Sequence, residues 1–170
     1  MNTIELKIKK INENSFKKYG KVLDIPKNKP THSDKCFDIW MGFEDIFTKN
    51  NKSKFSWFKV KYRNDFGCIN IERHLNTSEA LIPIKGQSII IVGLPGIKGS
   101  GEIVEKDSLR AFYIDGTKGI NLKPGIWHWI PYPLDNEADF LLIFADKTDK
   151  DDCEIIDLKE KMGIELKIVL

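Results

Sequence analysis

The chain has few cysteines and no long apolar run, and both absences bear on where it works. Its 170 residues include 3 cysteines, Cys36, Cys68 and Cys153, which lie far apart and form no CxxC pair. Isolated thiols in odd number are typical of a reducing cytoplasm rather than of a disulfide-stapled secreted domain. The longest apolar stretch is far below the ~20 residues that span a bilayer, and the first residues lack the apolar core of a signal peptide. We therefore expect a cytoplasmic protein with no membrane partner.

The charge balance lacks an excess of either sign. The chain has 27 lysines and arginines against 25 aspartates and glutamates, which leaves a formal net charge of +2. The lysines are spread along the whole sequence, whereas nucleic-acid binding requires basic side chains gathered into a patch. We therefore expect no nucleic-acid partner.

Long helical patterns are missing as well, and short alternating or β-branched segments take their place. These segments are separated by Gly, Pro, Asn and Asp, a pattern that predicts an all-β sandwich or barrel. We expect a single domain over residues 1–170. Short helices are predicted at 15–19, with Asn14 as the N-cap, and at 158–161. The predicted strands are 4–11, 35–41, 55–62, 68–74, 79–83, 88–93, 109–114, 119–122, 127–130, 139–145 and 164–169.

Two short motifs bring together two of the 3 histidines and two glutamates. Glu72 and His74 lie two residues apart in a predicted strand, so their side chains share one face and Arg73 points to the other. Glu79 begins the next strand after a turn, and His128 ends the second motif. Carboxylate oxygens and imidazole nitrogens are the donors from which a mixed metal site is built.

The spacing of the two motifs resembles that of the cupin superfamily. It is E-x-H-x4-E-x6-G in residues 72–86 and G-x4-P-G-x2-H in residues 119–128. In the second motif, Pro124-Gly125 predicts a type II turn that aims the following strand at the barrel mouth. The resemblance implies a cupin-type double-stranded β-helix, or jelly-roll barrel, with one or two short helices. It also implies a divalent metal (Mn, Fe, Ni or Zn), with an oxygen ligand where cupins have a histidine, and the ligands Glu72, His74, Glu79 and His128.

A wider set of segments resembles the ureidoglycolate lyase family, also named ureidoglycolate hydrolase. The matching segments, in order, are 71–74, 77–86, 109–112, 119–121, 127–128, 139–141 and 152–154. The resemblance implies a homodimeric cupin enzyme that splits ureidoglycolate, a small carboxylate, into glyoxylate and urea during allantoin breakdown. On this basis we assign His74, Glu79 and His128 to catalysis, and Arg110 and Lys123 to binding of the substrate carboxylate.

The chain departs from the family pattern near the predicted site. Leu75 stands where the family has proline, Glu79 replaces glutamine, and Lys123 and Trp129 replace histidines. Two proton carriers are thereby lost, while Glu79 makes the site more like an ordinary metal cupin. These exchanges leave an alternative open, namely a non-catalytic or differently specific cupin that binds a small carboxylate or a sugar-derived ligand.

Overall fold

The computed structural model describes residues 2–97, 99 and 101–170, which form two main β-sheets, a small hairpin, three short α-helices and one 3-10 helix (Lys106–Ser108). The helices are α1 (Glu13–Phe16), α2 (Thr148–Asp151) and α3 (Leu158–Met162). The strands are β1 (Asn2–Lys10), β2 (Gly20–Leu23), β3 (His32–Ser33), β4 (Asp38–Ile39), β5 (Ser53–Lys61), β6 (Gly67–Cys68), β7 (Asn70–Arg73), β8 (Glu79–Lys85), β9 (Ser88–Gly93), β10 (Arg110–Ile114), β11 (Gly119–Leu122), β12 (Trp127–His128), β13 (Tyr132–Pro133), β14 (Glu137–Ala145), β15 (Glu154–Asp157) and β16 (Ile164–Val169).

The larger sheet has nine strands and the smaller sheet has five. The larger one runs in the order β15-β7-β12-β9-β10-β1-β16-β6, with β13 also paired to β9, and the smaller one runs β2-β11-β8-β14-β5. Most neighbours are antiparallel, but β1 is parallel to both β10 and β16. Strands β3 and β4 form a separate small hairpin. The prediction of an all-β fold with short helices is confirmed, and the cupin-type topology stays a prediction.

Two apolar cores lie on opposite faces of β9, which is buried along its whole length. Ile90 and Val92 belong to the core that also holds Leu81 and Phe140 of the smaller sheet. Ile89 belongs to the second core, which is closed by residues of β1, β16 and α3. Because side chains alternate along a strand, β9 supplies both cores at once. It therefore gives rigid support to its neighbour β12, which carries His128.

The predicted strand at 35–41 is wrong. This segment contains only β4, which pairs with β3 through the register His32 to Ile39 and Ser33 to Asp38. The Asp34 amide donates to the Phe37 carbonyl at 2.8 Å and closes the turn of the hairpin. The alternation of apolar residues here therefore belongs to an exposed hairpin and not to a long strand.

Two other boundaries differ for local reasons. Helix α1 begins earlier than predicted, because Asn12 and not Asn14 caps it in a reciprocal capping box with Ser15. The predicted strand 68–74 is divided into β6 and β7 at Ile69, whose carbonyl accepts a hydrogen bond from the Leu158 amide at 2.7 Å. No predicted element covers β3, β13, β15 or α2, whereas β9, β11 and β16 have the predicted bounds.

Within the described residues, none of the helices is both long enough and apolar enough to cross a bilayer.

Candidate metal centre

The four predicted ligands converge between the two sheets. Glu72 on β7 is directly opposite His128 on β12, and His74 follows Glu72 by two residues on the same face. Glu79, at the start of β8 in the smaller sheet, completes the group. Its Oε2 lies 2.9 Å from His74 Nε2 and 3.2 Å from His128 Nε2. Glu72 Oε1 lies 3.8 Å from His128 Nε2.

These distances and donor types fit a divalent cation. Glu72, His74 and His128 each offer one ligand atom, and the three atoms lie within 4.8 Å of one another. Two donors bound at ~2.1 Å to one cation are roughly 3.0 to 3.4 Å apart, close to the two distances from Glu79 to the imidazoles. His128 Nε2 is buried and has no well-aligned hydrogen bond among the described residues, although Glu79 Oε2 is near it. A buried nitrogen without a well-aligned hydrogen bond is suited to bind a metal cation.

Both imidazoles are oriented by backbone carbonyls. His74 Nδ1 lies 2.7 Å from the carbonyl oxygen of Asp152, and His128 Nδ1 lies 3.0 Å from that of Ile126. Because a carbonyl only accepts hydrogen bonds, each Nδ1 carries the proton and donates it. Each Nε2 therefore faces the centre, which is the arrangement that outer hydrogen bonds impose on metal-binding histidines.

Without a bound cation, Glu79 lies as an anion between the two imidazoles, and its charge favours their protonated forms. Burial alone would lower the pKa of His128, but the charge of Glu79 and its contact with the ring outweigh burial and raise the pKa to about 9. The pKa of His74 is also raised, since Glu79 again outweighs burial. Burial would raise the pKa of Glu79, yet the charge and hydrogen bonds of the two histidines hold that pKa well below its usual range.

Two further side chains contact this centre. Cys153 donates a hydrogen bond from Sγ to Glu72 Oε2 at 3.4 Å, and the Phe144 ring stacks against His74 with ring centroids 6.3 Å apart. Burial, followed by the neighbouring Glu72 charge, raises the pKa of Cys153 to about 12, so the group stays a thiol. The sequence placed Cys153 in a segment that resembles the family but gave it no role, and only that match could have drawn attention to it.

The Pro124-Gly125 turn ties the two motifs together. Gly125 has φ +82, and the Ile126 amide donates to the Lys123 carbonyl at 3.3 Å, as a type II turn requires. The Gly125 amide also donates to the His74 carbonyl at 2.6 Å. The turn that leads into β12 is thus attached directly to the residue that carries the first imidazole.

Arg73 points to the opposite face, as predicted. Its guanidinium lies over the Trp127 ring, 4.4 Å from the centroid, and its Nε lies 2.7 Å from a Glu154 carboxylate oxygen. This contact holds β7, β12 and β15 together behind the centre.

The structure does not bring Arg110 and Lys123 to the four ligands. The Arg110 guanidinium donates to the carbonyls of Asp107 and Leu109 at 2.8 and 2.7 Å. Lys123 Nζ donates to the Lys17 carbonyl at 2.7 Å, beside α1. Their role in substrate binding stays a prediction.

The model of a family described as ureidoglycolate lyase matches residues 3–165. The ureidoglycolate lyase of Pseudomonas syringae pv. syringae (strain B728a) is 33% identical over 73 residues, which cover 43% of this chain and 41% of that protein. The ureidoglycolate lyase of Escherichia coli O1:K1 / APEC is 30% identical over 91 residues, which cover 54% of this chain and 53% of that protein. The aligned stretches thus span about half of these relatives or less.

Solved structures show weaker similarity. Oxalate decarboxylase from Bacillus subtilis has 16% identity and a TM-score of 0.43, over 68% of this chain and 27% of that one. The sugar 3,4-ketoisomerase QdtA from Thermoanaerobacterium thermosaccharolyticum has 14% identity and a TM-score of 0.43, over 59% of this chain and 64% of that one.

Proposed function

We propose that this chain, which belongs to the ureidoglycolate lyase family, cleaves ureidoglycolate to glyoxylate and urea in allantoin breakdown in the cytoplasm. The observation that carries the proposal is the convergence of Glu72, His74, Glu79 and His128, from two distant motifs, on one buried point. The substrate is inferred from the family, and the converging side chains form a centre that is able to act on it.

The reaction moves one proton and breaks one carbon–nitrogen bond. The carbinol hydroxyl loses its proton, and the electrons of that O–H bond form the carbonyl of glyoxylate. The C–N bond breaks at the same carbon, and the departing urea nitrogen takes up a proton. Since no water is consumed, the chain must supply a proton carrier and a site that stabilises the developing negative charge on oxygen.

The four side chains would hold a divalent cation (Mn, Fe, Ni or Zn), with His74 and His128 binding through Nε2. A bound cation supplies Lewis-acid chemistry that lowers the pKa of the substrate hydroxyl and attracts the substrate carboxylate. Glu79, which is buried against both imidazoles, contributes negative charge that offsets the cation. In this proposal His74, Glu79 and His128 contribute to catalysis by holding and tuning the cation.

Glu72 is placed to carry the proton. Its side chain is 22% exposed, whereas the side chains of His74, Glu79 and His128 are between 5% and 9% exposed. Substrate therefore reaches the centre from the side of Glu72. Because the hydroxyl and the departing nitrogen are attached to the same carbon, one carboxylate can take the proton from the first and return it to the second. Arg110 and Lys123 would bind the substrate carboxylate only after releasing their backbone carbonyl partners.

The test is release of glyoxylate from ureidoglycolate by the purified protein, with and without each of the four metals. Equal amounts of glyoxylate and urea, with no ammonia, are expected. Elemental analysis of the same preparation reports the bound metal. Failure to release glyoxylate under every metal condition would reject this substrate.

The residues that differ from the family pattern favour one alternative function. In it, the chain binds a small carboxylate or a sugar-derived ligand without turnover. Lys123 and Trp129 stand where the family has histidines; Lys123 is bonded to the Lys17 carbonyl, and Trp129 packs against an apolar core. Neither position supplies an imidazole to the centre. Calorimetric binding of glyoxylate or ureidoglycolate by a protein that shows no turnover would support this alternative.

We further propose that the chain forms the homodimer implied by its family, through the outer face of the smaller sheet. The registers of β8, β14 and β5 place Ile82, Leu141 and Trp57 in one row across that face. Phe55 and Trp57 are 69% and 63% exposed there. A groove of about 590 Å³, lined by Ile82 and by apolar residues of the 24–43 segment, continues the same surface. A second copy of the chain would cover this apolar area.

Phe55→Glu is expected to shift the protein from dimer to monomer, because it places a charge within the proposed apolar contact. Sedimentation velocity measures the change. Val169→Glu, which alters a partly exposed apolar residue on β16 in the other sheet, is the control and should stay dimeric. A monomeric parent would contradict the dimer, and a dimeric Phe55→Glu variant would contradict this interface.

A further inference from the structure

The segment between α2 and β15 contacts the metal centre from outside. Its first contact is the Asp152 carboxylate, which lies against the turn that follows His74. Asp152 Oδ1 accepts from the Leu75 amide at 2.9 Å and from Asn76 Nδ2 at 2.8 Å, and Oδ2 accepts from the Asn76 amide at 2.8 Å. One carboxylate therefore receives three hydrogen bonds from two consecutive residues, which fixes the chain immediately after the first imidazole.

Asp152 also orients the imidazole itself. Its backbone carbonyl accepts the Nδ1 hydrogen bond of His74 at 2.7 Å. Side chain and backbone of one residue thus hold both the ring of His74 and the turn behind it. A shift of Asp152 would move the ring and its hydrogen-bond acceptor together.

Cys153, the next residue, contacts a second ligand. Its thiol donates to Glu72 Oε2 at 3.4 Å, while Glu72 Oε1 is the oxygen that faces His128. The ladder between β15 and β7 pairs Ile155 with Glu72 and Glu154 with Arg73. Cys153 immediately precedes β15 and His74 immediately follows β7, so the paired strands hold the thiol next to Glu72.

From this geometry we propose that Asp152 and Cys153 are positioning residues that act through two ligands at once. Asp152 holds His74 with Nε2 towards the cation, and the Cys153 thiol occupies one oxygen of Glu72 so that the other stays on the cation side. The proposal rests on the metal-binding part of the proposed function. Outer contacts of this kind typically change metal affinity by about 10- to 100-fold when they are removed.

The experiment measures Zn²⁺ affinity by competition with a chelator for the parent and a series of variants. Asp152→Ala and Cys153→Ala are each expected to weaken Zn²⁺ binding by about 10- to 100-fold. Cys153→Ser keeps a hydroxyl donor for Glu72 and should restore affinity relative to Cys153→Ala. Asp151→Asn, which removes an exposed carboxylate one residue earlier, is the matched control and should bind as the parent does.

A second measurement needs no metal. Nitrogen-resolved NMR, recorded at a pH high enough to leave His74 neutral, should show its proton on Nδ1 in the parent and a mixture of tautomers in Asp152→Ala. Circular dichroism verifies folding of each variant. Asp152→Asn, which retains one acceptor oxygen, replaces Asp152→Ala if the latter does not fold.

Unchanged affinity in Asp152→Ala and Cys153→Ala, with an unchanged His74 tautomer, would overturn the inference while leaving the metal centre intact. A thiolate-to-metal absorption band in the Co²⁺-loaded parent that disappears in Cys153→Ser would also overturn it, because Cys153 would then be a ligand. If the parent binds no Zn²⁺, the metal proposal fails, and the tautomer of His74 decides the positioning role on its own.

Discussion

Replacing His128 with alanine is expected to remove the bound cation and to lower the rate of glyoxylate release by about 10²- to 10⁴-fold. The ring is 4% exposed, its Nδ1 is held by the Ile126 carbonyl, and its Nε2 faces the other three ligands. Alanine leaves a cation with one fewer nitrogen donor and fills none of the vacated space. Metal content by elemental analysis and glyoxylate release measure the two effects on the same preparation.

His32→Ala is the matched control for this prediction. His32 is exposed on β3, in a hairpin that pairs with neither of the two main sheets, so its loss should change neither metal content nor activity. Circular dichroism should show that both variants retain the parent's β-sheet signal. A His128→Ala protein with the parent's metal content and activity would reject the assignment of this centre.

The period-two pattern of strands explains why the core of the site was predictable from the sequence. Once residues 68–74 are assigned to a strand, Glu72 and His74 must share a face and Arg73 must point away, and the structure has both. The Pro124-Gly125 turn was predictable for a similar reason, since only a positive φ at Gly125 lets the chain reverse there. In both cases the local backbone geometry determines the direction of the side chains or of the chain.

The features of the fold and of the site that could not be predicted from the sequence depend on contacts between distant segments. The carbonyl that orients His74 belongs to Asp152, 78 residues further along, and a backbone carbonyl leaves no signal in the identity of the side chain. Arg110 and Lys123 are long cations, and nearby carbonyls satisfy them before any substrate does. The segment 35–41 alternates like a strand, but only Asp38–Ile39 pair, and they pair with β3 rather than with a strand of either main sheet. The single domain over residues 1–170 stays a prediction.

Glu79→Gln is expected to lower the free energy of unfolding of the chelator-treated protein by about 3 kcal/mol near pH 6. Glu79 is an anion in contact with both imidazoles, and its neutralisation removes the charged partner of two buried histidines. Glutamine has nearly the same shape as glutamate, so the loss reports charge rather than packing. Urea unfolding in the presence of chelator measures the loss in the free energy of unfolding.

The loss of unfolding free energy in Glu79→Gln should depend on the pH. The pKa of His128 is raised from 6.5 to about 9, so its contribution is complete below pH 6.5 and disappears as pH rises towards 9. The pKa of Glu79 is lowered from 4.5, so its contribution is complete above pH 4.5 and disappears as pH falls below that value. The difference between parent and Glu79→Gln should therefore be greatest between pH 4.5 and 6.5.

Glu5→Gln is the matched control, because it makes the same chemical change at an exposed position on β1. Its effect should stay within about 0.5 kcal/mol at every pH, as for other surface substitutions. A pH-independent difference between parent and Glu79→Gln would mean that the amide disturbs packing and that the carboxylate is not paired with the imidazoles. A difference that peaks inside the window ties stability to the same charges that would bind the cation. Part of the stability of this fold would then depend on the four groups that make it a metal centre.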